Sequence, residues 1–384
     1  MIFIIYCLSV IPCLSYLGRF VTVNNQQKFY TMKKLVTGAF ALLAVSVSYA
    51  QSINSSNDVA QSGNNNAATV TQHGLQQKNE SSQTGNNNQV TVSQKMQYNE
   101  AETTQVGDYN QATVTQGIAW ANKNYVTQSQ NGLANNASAT QDKTYMNEIT
   151  QTQGGSFNYA TASQSEGSRM YIDQVQSGGG NIAVATQVGD SSVASLSADA
   201  NDIFQSQTGG ANYAQASQSG WKNDMDQVQS GVLNIATADQ VGYFNVGTQT
   251  QSGWFNDADL KQSGDENSSS QTQTGNGNDA LVDQNGDMNM AVQTQSGNGN
   301  DAKGYQEGDG NMLSSIQSGN GHMIYVSQDG NANQSISTQS GSNNDGWVYQ
   351  TGNSNLSNLQ QSGSGNYHMG VQAGNGNSIV VTQN

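Results

Sequence analysis

The chain has 384 residues, 10% of them charged, with 42 glycines, one proline and a net charge of −15. Residues 1–50 hold four of the twelve basic side chains and no acidic ones, so the rest carries 8 basic against 27 acidic groups, a net of −19. A surface of that sign repels phosphate backbones, which excludes nucleic acid as a partner.

The first stretch, MIFIIYCLSVIPCLSYL, is apolar and contains Cys7, Cys13 and Pro12. It reads as a membrane anchor or, on the plainer reading, as part of an over-extended gene start covering residues 1–31. Met32-Lys33-Lys34 then precedes an apolar run, LVTGAFALLAVSV, and Ser48-Tyr49-Ala50. A basic start, an apolar core and small residues at −3 and −1 predict a secretory signal peptide over residues 32–50. The mature chain then begins at Gln51, with a short segment 51–60 ahead of the repeats at 61–384. It has no thiol and no proline to interrupt a backbone ladder.

From Gln61 a ruler of glutamines takes over. Gln61, Gln72, Gln83, Gln94, Gln105 and Gln116 are spaced by eleven, and every step from Gln207 to Gln383 is eleven. Between them Gln130, Gln141, Gln153, Gln164, Gln176 and Gln187 alternate steps of eleven and twelve. A degenerate unit is expected near Leu196, with Ala198 for Gly and Asn201 in phase. Gly usually follows each Gln by two residues and Asn by five: Gln61-Gly63-Asn66, Gln105-Gly107-Asn110, Gln251-Gly253-Asn256. Alternate units add a second Gln two residues earlier, at 205, 227, 249, 271 and 293, so the full repeat is 22 residues.

Low hydrophobicity with many Gln, Asn, Ser and Gly would ordinarily indicate disorder, but disorder needs no register. Seven residues at about 3.3 Å each make a strand, and the remaining four make a turn. Asn278, Ala280, Val282 and Gln284 then share one face, which repeats in kind and must point inward. Asp279, Leu281 and Asp283 share the variable outer face. The expected fold is an all-β parallel β-solenoid of about fifteen 22-residue coils, two strands per coil. Stacked coils let each inward amide bond its equivalents above and below. The expected rungs include Gln61, Asn66, Gln72, Gln105, Asn110, Gln251, Asn256, Gln262, Gln273, Asn278, Gln284, Asn289, Gln295, Asn300, Gln306, Gln361, Asn366, Gln372 and Gln383. Turn glycines are expected at Gly63, Gly107, Gly253, Gly275, Gly277, Gly297 and Gly299. Local bulges are expected near 117–129 and 188–200, where the ruler slips. The repeat runs through Val380-Val381-Thr382-Gln383-Asn384 without a capping element, which predicts end-to-end polymerisation.

Gln273, Gly275, Gly277, Asn278, Ala280 and Gln284, and again Gln295, Gly297, Gly299, Asn300, Ala302 and Gln306, fill a pattern that resembles the curlin repeats of bacterial curli fibres. The second Gly is often replaced, as at Asn65, Tyr109 and Leu233. The resemblance spans about 320 residues. It implies a secreted subunit that assembles outside the cell into amyloid-like fibres of the biofilm matrix. Implied partners are further copies, other curlin-like subunits or a nucleator, and the outer-membrane secretion machinery.

Catalytic or cofactor chemistry finds no constellation. His73, His322 and His368 lie in different phases of the repeat and read as solvent-facing substitutions. Asp265, Asp287 and Asp309 follow turn glycines at intervals of 22, and Asp257, Asp279 and Asp301 form a second outward series. Stacked like charges discourage runaway association; adjacent carboxylates offer Ca²⁺-type oxygen ligands as the functional alternative. Thr69/Thr71, Thr91/Ser93, Thr113/Thr115, Ser138/Thr140 and Thr161/Ser163 take equivalent outward positions. Such a face resembles that of ice-binding or surface-adhesin solenoids, which is the alternative function. Trp221 and Trp254 fall at turns, where isolated aromatics are ordinary but sugars or dyes could stack.

Overall fold

The computed structural model describes residues 44–47, 52–117, 121–189 and 201–384. The expected gene-start segment, most of the expected signal peptide, and Leu196 with Ala198 lie outside the described residues. Among the described residues two sheets of 16 and 15 strands form, successive strands alternate between them from Ser56 on, and every strand pairing is parallel. The solenoid makes about 14 turns.

Register follows the glutamine ruler. Asp279–Asn285 in the first sheet lies between Asp257–Ser263 and Asp301–Glu307, with Gln262, Gln284 and Gln306 aligned. Asn278 and Gln284 are 0% exposed and Ala280 and Val282 1%, while Asp279 and Asp283 face outward. The inward set is therefore the one that repeats.

In many coils the two strands differ in length: Asp279–Asn285 has 7 residues and Met290–Asn298 has 9. In the second sheet parallel pairing continues through the turn glycine, with Gly275, Gly297 and Gly319 aligned. The strand Ser56–Ser62 already pairs with Lys78–Thr84, so sheet structure begins inside the segment ahead of Gln61. The backbone of Ala44–Val47 pairs with the strand Ala67–Leu75.

The ruler's slips become insertions. Gln105 bonds Gln130 across 25 residues, and Gln187 bonds Gln218 across 31. Both rungs close without an intervening one. The expected degenerate unit lies outside the described residues; the strand Asp202–Gly210 that follows pairs directly with Tyr171–Gly179. Asn201 is in phase with the repeat and donates to the Gly220 carbonyl.

Small residues on one sheet face larger ones on the other, which keeps a thin interior densely packed. Ile149, Ile172, Ile203 and Met225 of the second sheet pack with Ala139, Ala162, Ala185 and Ala216 of the first. Where the second sheet has Gly247, Leu260 fills the space; an added Cβ would lie 2.6 Å from both Leu260 Cδ2 and Met225 Sδ. Gly346 and Leu359 exchange the roles of the sheets in the same way.

Candidate functional site: the amide ladders

The glutamine of each strand end lies inside because alternation puts it on the same face as the small apolar residues. Its Nε2 donates to Oε1 of the equivalent Gln one coil on: Gln251 to Gln273 at 2.8 Å, Gln262 to Gln284 at 2.9 Å, Gln284 to Gln306 at 2.8 Å. One column begins with Gln72 to Gln94 and ends with Gln350 to Gln372; the other begins with Gln61 to Gln83 and ends with Gln361 to Gln383. Gln105 and Gln295 are rungs of the second column. The same Nε2 also donates to the carbonyl at the start of the facing strand, as Gln284 does to Ser268 at 3.2 Å. Each Gln therefore ties its coil to the next and one sheet to the other.

A third column uses the extra Gln of alternate units and begins earlier than expected, at Gln128, Gln151 and Gln174. It passes through Gln205, Gln227, Gln249 and Gln271 to Gln293. Beyond it stand Ser315 and Ser337, whose hydroxyls lack a protein partner, and buried Leu359.

Asparagines run the other way. Asn278 Nδ2 donates backward to Asn256 Oδ1 at 3.0 Å and forward to the Gly297 carbonyl at 3.0 Å, while its backbone N–H also reaches Asn256 Oδ1. Asn110, Asn289, Asn300 and Asn366 repeat the backward bond, and Asn66 Oδ1 accepts from Asn88. Every ladder residue expected from the sequence is brought into a column.

Two histidines correct the sequence reading. His322 is 0% exposed and occupies an Asn rung: its backbone N–H donates to Asn300 Oδ1, and its Nδ1 accepts from the Asn344 N–H. Burial holds its pKa below the ordinary histidine value. His368 also turns inward, in the column of Ile324 and Gly346, and burial lowers its pKa likewise. Among the three, His73 is the exposed one. The imidazole of His322 is flat and offers an acceptor where Asn offers one, which is why the rung admits it.

The turn glycines divide by cause. At Gly275 an added Cβ would lie 1.9 Å from the carbonyl oxygen of Gly297, and Gly63, Gly107, Gly253 and Gly297 meet the same obstruction. At Gly277 and Gly299 nothing stands within 4 Å, and only φ of 63° and 65° favours glycine. Asn65, Tyr109 and Leu233 adopt that φ at equivalent positions.

The aspartates of the turns make a backbone cap. The Asp265 N–H donates to Asp287 Oδ1 at 2.8 Å, and the Asp287 N–H to Asp309 Oδ1 at 3.0 Å; Asn331 serves Asp309 in the same way. Among the described residues no group of three or more His, Cys, Asp or Glu is arranged to hold a metal ion. Asp257, Asp279 and Asp301 align in an outward column, and Lys303 Nζ approaches Asp301 at 2.8 Å and Asp279 at 3.8 Å. Farther back, partial burial pushes the Asp202 carboxyl up to about 6, with Asp224, Asp226 and Asp173 adding to the effect.

The outward Thr/Ser pairs do align, from Thr69 and Thr71 through Thr161 and Ser163. The next coil breaks the face with Val184. Trp221 packs edge-on to Tyr243 and Phe244 with Lys222 over its ring, whereas Trp254 is 58% exposed.

Parallel strands, alternating sheets and amide columns define a β-solenoid whose interior is a continuous polar ladder. Residues 256–286 match the curlin associated repeat, and the chain carries that repeat. No curated protein matches the chain.

Proposed function

We propose that the protein is a secreted structural subunit whose copies add end to end into a curli-like, cross-β fibre of the extracellular biofilm matrix at the bacterial surface. The observation that supports this best is the pair of Gln ladders, which run from Gln61 to Gln383 and from Gln72 to Gln372 and repeat one rung in every coil, so that a rung pairs as well with an equivalent rung of another copy as with its own neighbour. The ladders also have a direction: a rung offers Gln donors and Asn acceptors on one side, and the reverse on the other. A second copy therefore continues the stack head to tail. Besides itself, the subunit would meet other curlin-like subunits or a nucleator, and leave through outer-membrane secretion machinery.

Purified residues 51–384 should polymerise after a lag, bind amyloid dyes and give the fibre reflection near 4.7–4.8 Å that stacked strands produce. A chain that stays monomeric at high concentration contradicts the proposal. The aligned Thr/Ser columns on five consecutive strands favour one second reading, an ice-binding or adhesive face. It is supported instead if the monomer reshapes growing ice crystals and Thr91→Ala with Thr113→Ala abolishes the effect.

A further inference from the structure

The outer face of the first sheet changes character after its Thr/Ser stretch. The column that held Thr71, Ser93 and Thr115 becomes Lys261, Asp283, Tyr305, Ser327 and Tyr349. Beside it, Tyr325 stacks on Trp347 with ring centroids 5.2 Å apart, and lies 5.4 Å from Tyr305 and 5.5 Å from Tyr349. Four rings thus make one platform across three coils. On the other side of Tyr305 runs a groove of about 380 Å³, lined by Lys261, Asp283, Asn285, Glu307 and Asp329 among others. Tyr305 belongs to both platform and groove. The groove follows the stacking axis, so its polar groups recur at about the 4.8 Å coil spacing.

Charge narrows the occupant. Asp283, Glu307 and Asp329 face Lys261 alone, whose Nζ stands 4.0 Å from Asp283. The neighbouring Lys303 is engaged by Asp301 and Asp279. An acidic polymer is repelled, and a purely apolar one leaves the carboxylates unpaired. A ring that shows C–H groups on one face and carries an amine on its rim satisfies both: the face lies on the aromatics, and the ammonium pairs with carboxylates or sits over a ring.

We propose that this groove and platform bind a linear polysaccharide of amine-bearing hexoses. The site lies on the side of the solenoid, so it remains open whether or not further copies stack on the ends, and it does not rest on the fibre reading.

Titration of the full chain with a linear glucosamine hexamer tests it, against its N-acetylated form and hexalysine. The glucosamine hexamer should bind at least about tenfold more tightly than either, a difference of about 1.4 kcal/mol. Trp347→Ala and Tyr305→Ala should each weaken it, and Glu307→Gln with Asp329→Asn, which leaves the ladders untouched, should weaken it and reduce its salt dependence. Thr91→Ala, on the Thr/Ser stretch, should change nothing. The proposal is overturned by absence of binding, by equal binding of hexalysine, which would make the groove a cationic-peptide site, or by binding indifferent to the aromatic and carboxylate variants.

Discussion

The coils before residue 189 and those after residue 201 solve the same problem inside and different ones outside. In the earlier stretch successive rungs are 22, 25 or 23 residues apart; in the later one each is 22. The outer face of the first sheet carries Thr and Ser in one, and carboxylates and aromatic rings in the other. Yet the Gln columns cross the boundary, Gln176 to Gln207 at 2.8 Å and Gln187 to Gln218 at 3.0 Å. Length and surface are free to vary where they leave the column alone. The two Gln columns that run the length of the repeat have no such freedom.

The strongest test of that equivalence is to remove amides from both stretches. Gln262→Ala, Gln284→Ala and Gln306→Ala together leave neighbouring amides unpaired, at about 1–3 kcal/mol each. Gln141→Ala, Gln164→Ala and Gln187→Ala should cost the same in a denaturant titration and slow assembly equally. Unequal losses would mean that the earlier stretch is held by something other than its ladder.

The turns sharpen the contrast between what is fixed and what is tolerated. Gly275→Ala drives a Cβ into the next coil's carbonyl and should destabilise by more than about 3 kcal/mol. Gly277→Ala meets open space and should cost only the left-handed backbone, about 1–2 kcal/mol. Comparable unfolding midpoints for the two variants would refute the distinction.

Acid should act oppositely on two of the pH-sensitive sites of the later stretch, His322 and Asp202. His322 is buried neutral with a lowered pKa, so its contribution is full above the unfolded value of about 6.5 and is lost as pH falls below it. Asp202 has a raised pKa, so its charge costs stability above about 6, and that cost fades as pH drops toward the ordinary carboxylate value. His322→Asn should therefore raise stability at pH 5 more than at pH 8, and Asp202→Asn should raise it at pH 8 more than at pH 5. Thermal melts at the two pH values decide both signs.

A smaller effect remains. Asp265→Asn, Asp287→Asn and Asp309→Asn keep the turn caps, as Asn331 does naturally, and relieve repulsion along the column. Assembly followed by light scattering should be faster than the parent's, with the advantage shrinking at high salt. Slower assembly would give those carboxylates a binding role.

The architecture was legible because an amide ladder demands one side chain at one height in every coil, and that demand prints a strict period. Inward and outward sets followed from alternation alone. His322 is not legible from its residue type, which suits an exposed position, but its place five residues after Gln317 is the one that the repeat gives to Asn. The groove escaped for a different reason. Tyr305, Tyr325, Trp347 and Tyr349 are scattered along the chain and become neighbours only when coils stack. Nor does spacing reveal which turn glycine is a matter of space and which of φ, since both recur with the same period.

The opposed donation of the Gln and Asn columns has an electrostatic consequence. Had all side-chain amides pointed one way, their dipoles would sum with each added coil, as peptide dipoles do in a helix, leaving partial charges of opposite sign at the two ends. Here two Asn columns run against two of the Gln columns, so beyond Gln293, where the third Gln column ends, the side-chain contribution largely cancels coil by coil. An added coil then meets nearly the same field however many precede it, and the array can lengthen by repetition without accumulating a polarisation that its ends would have to screen.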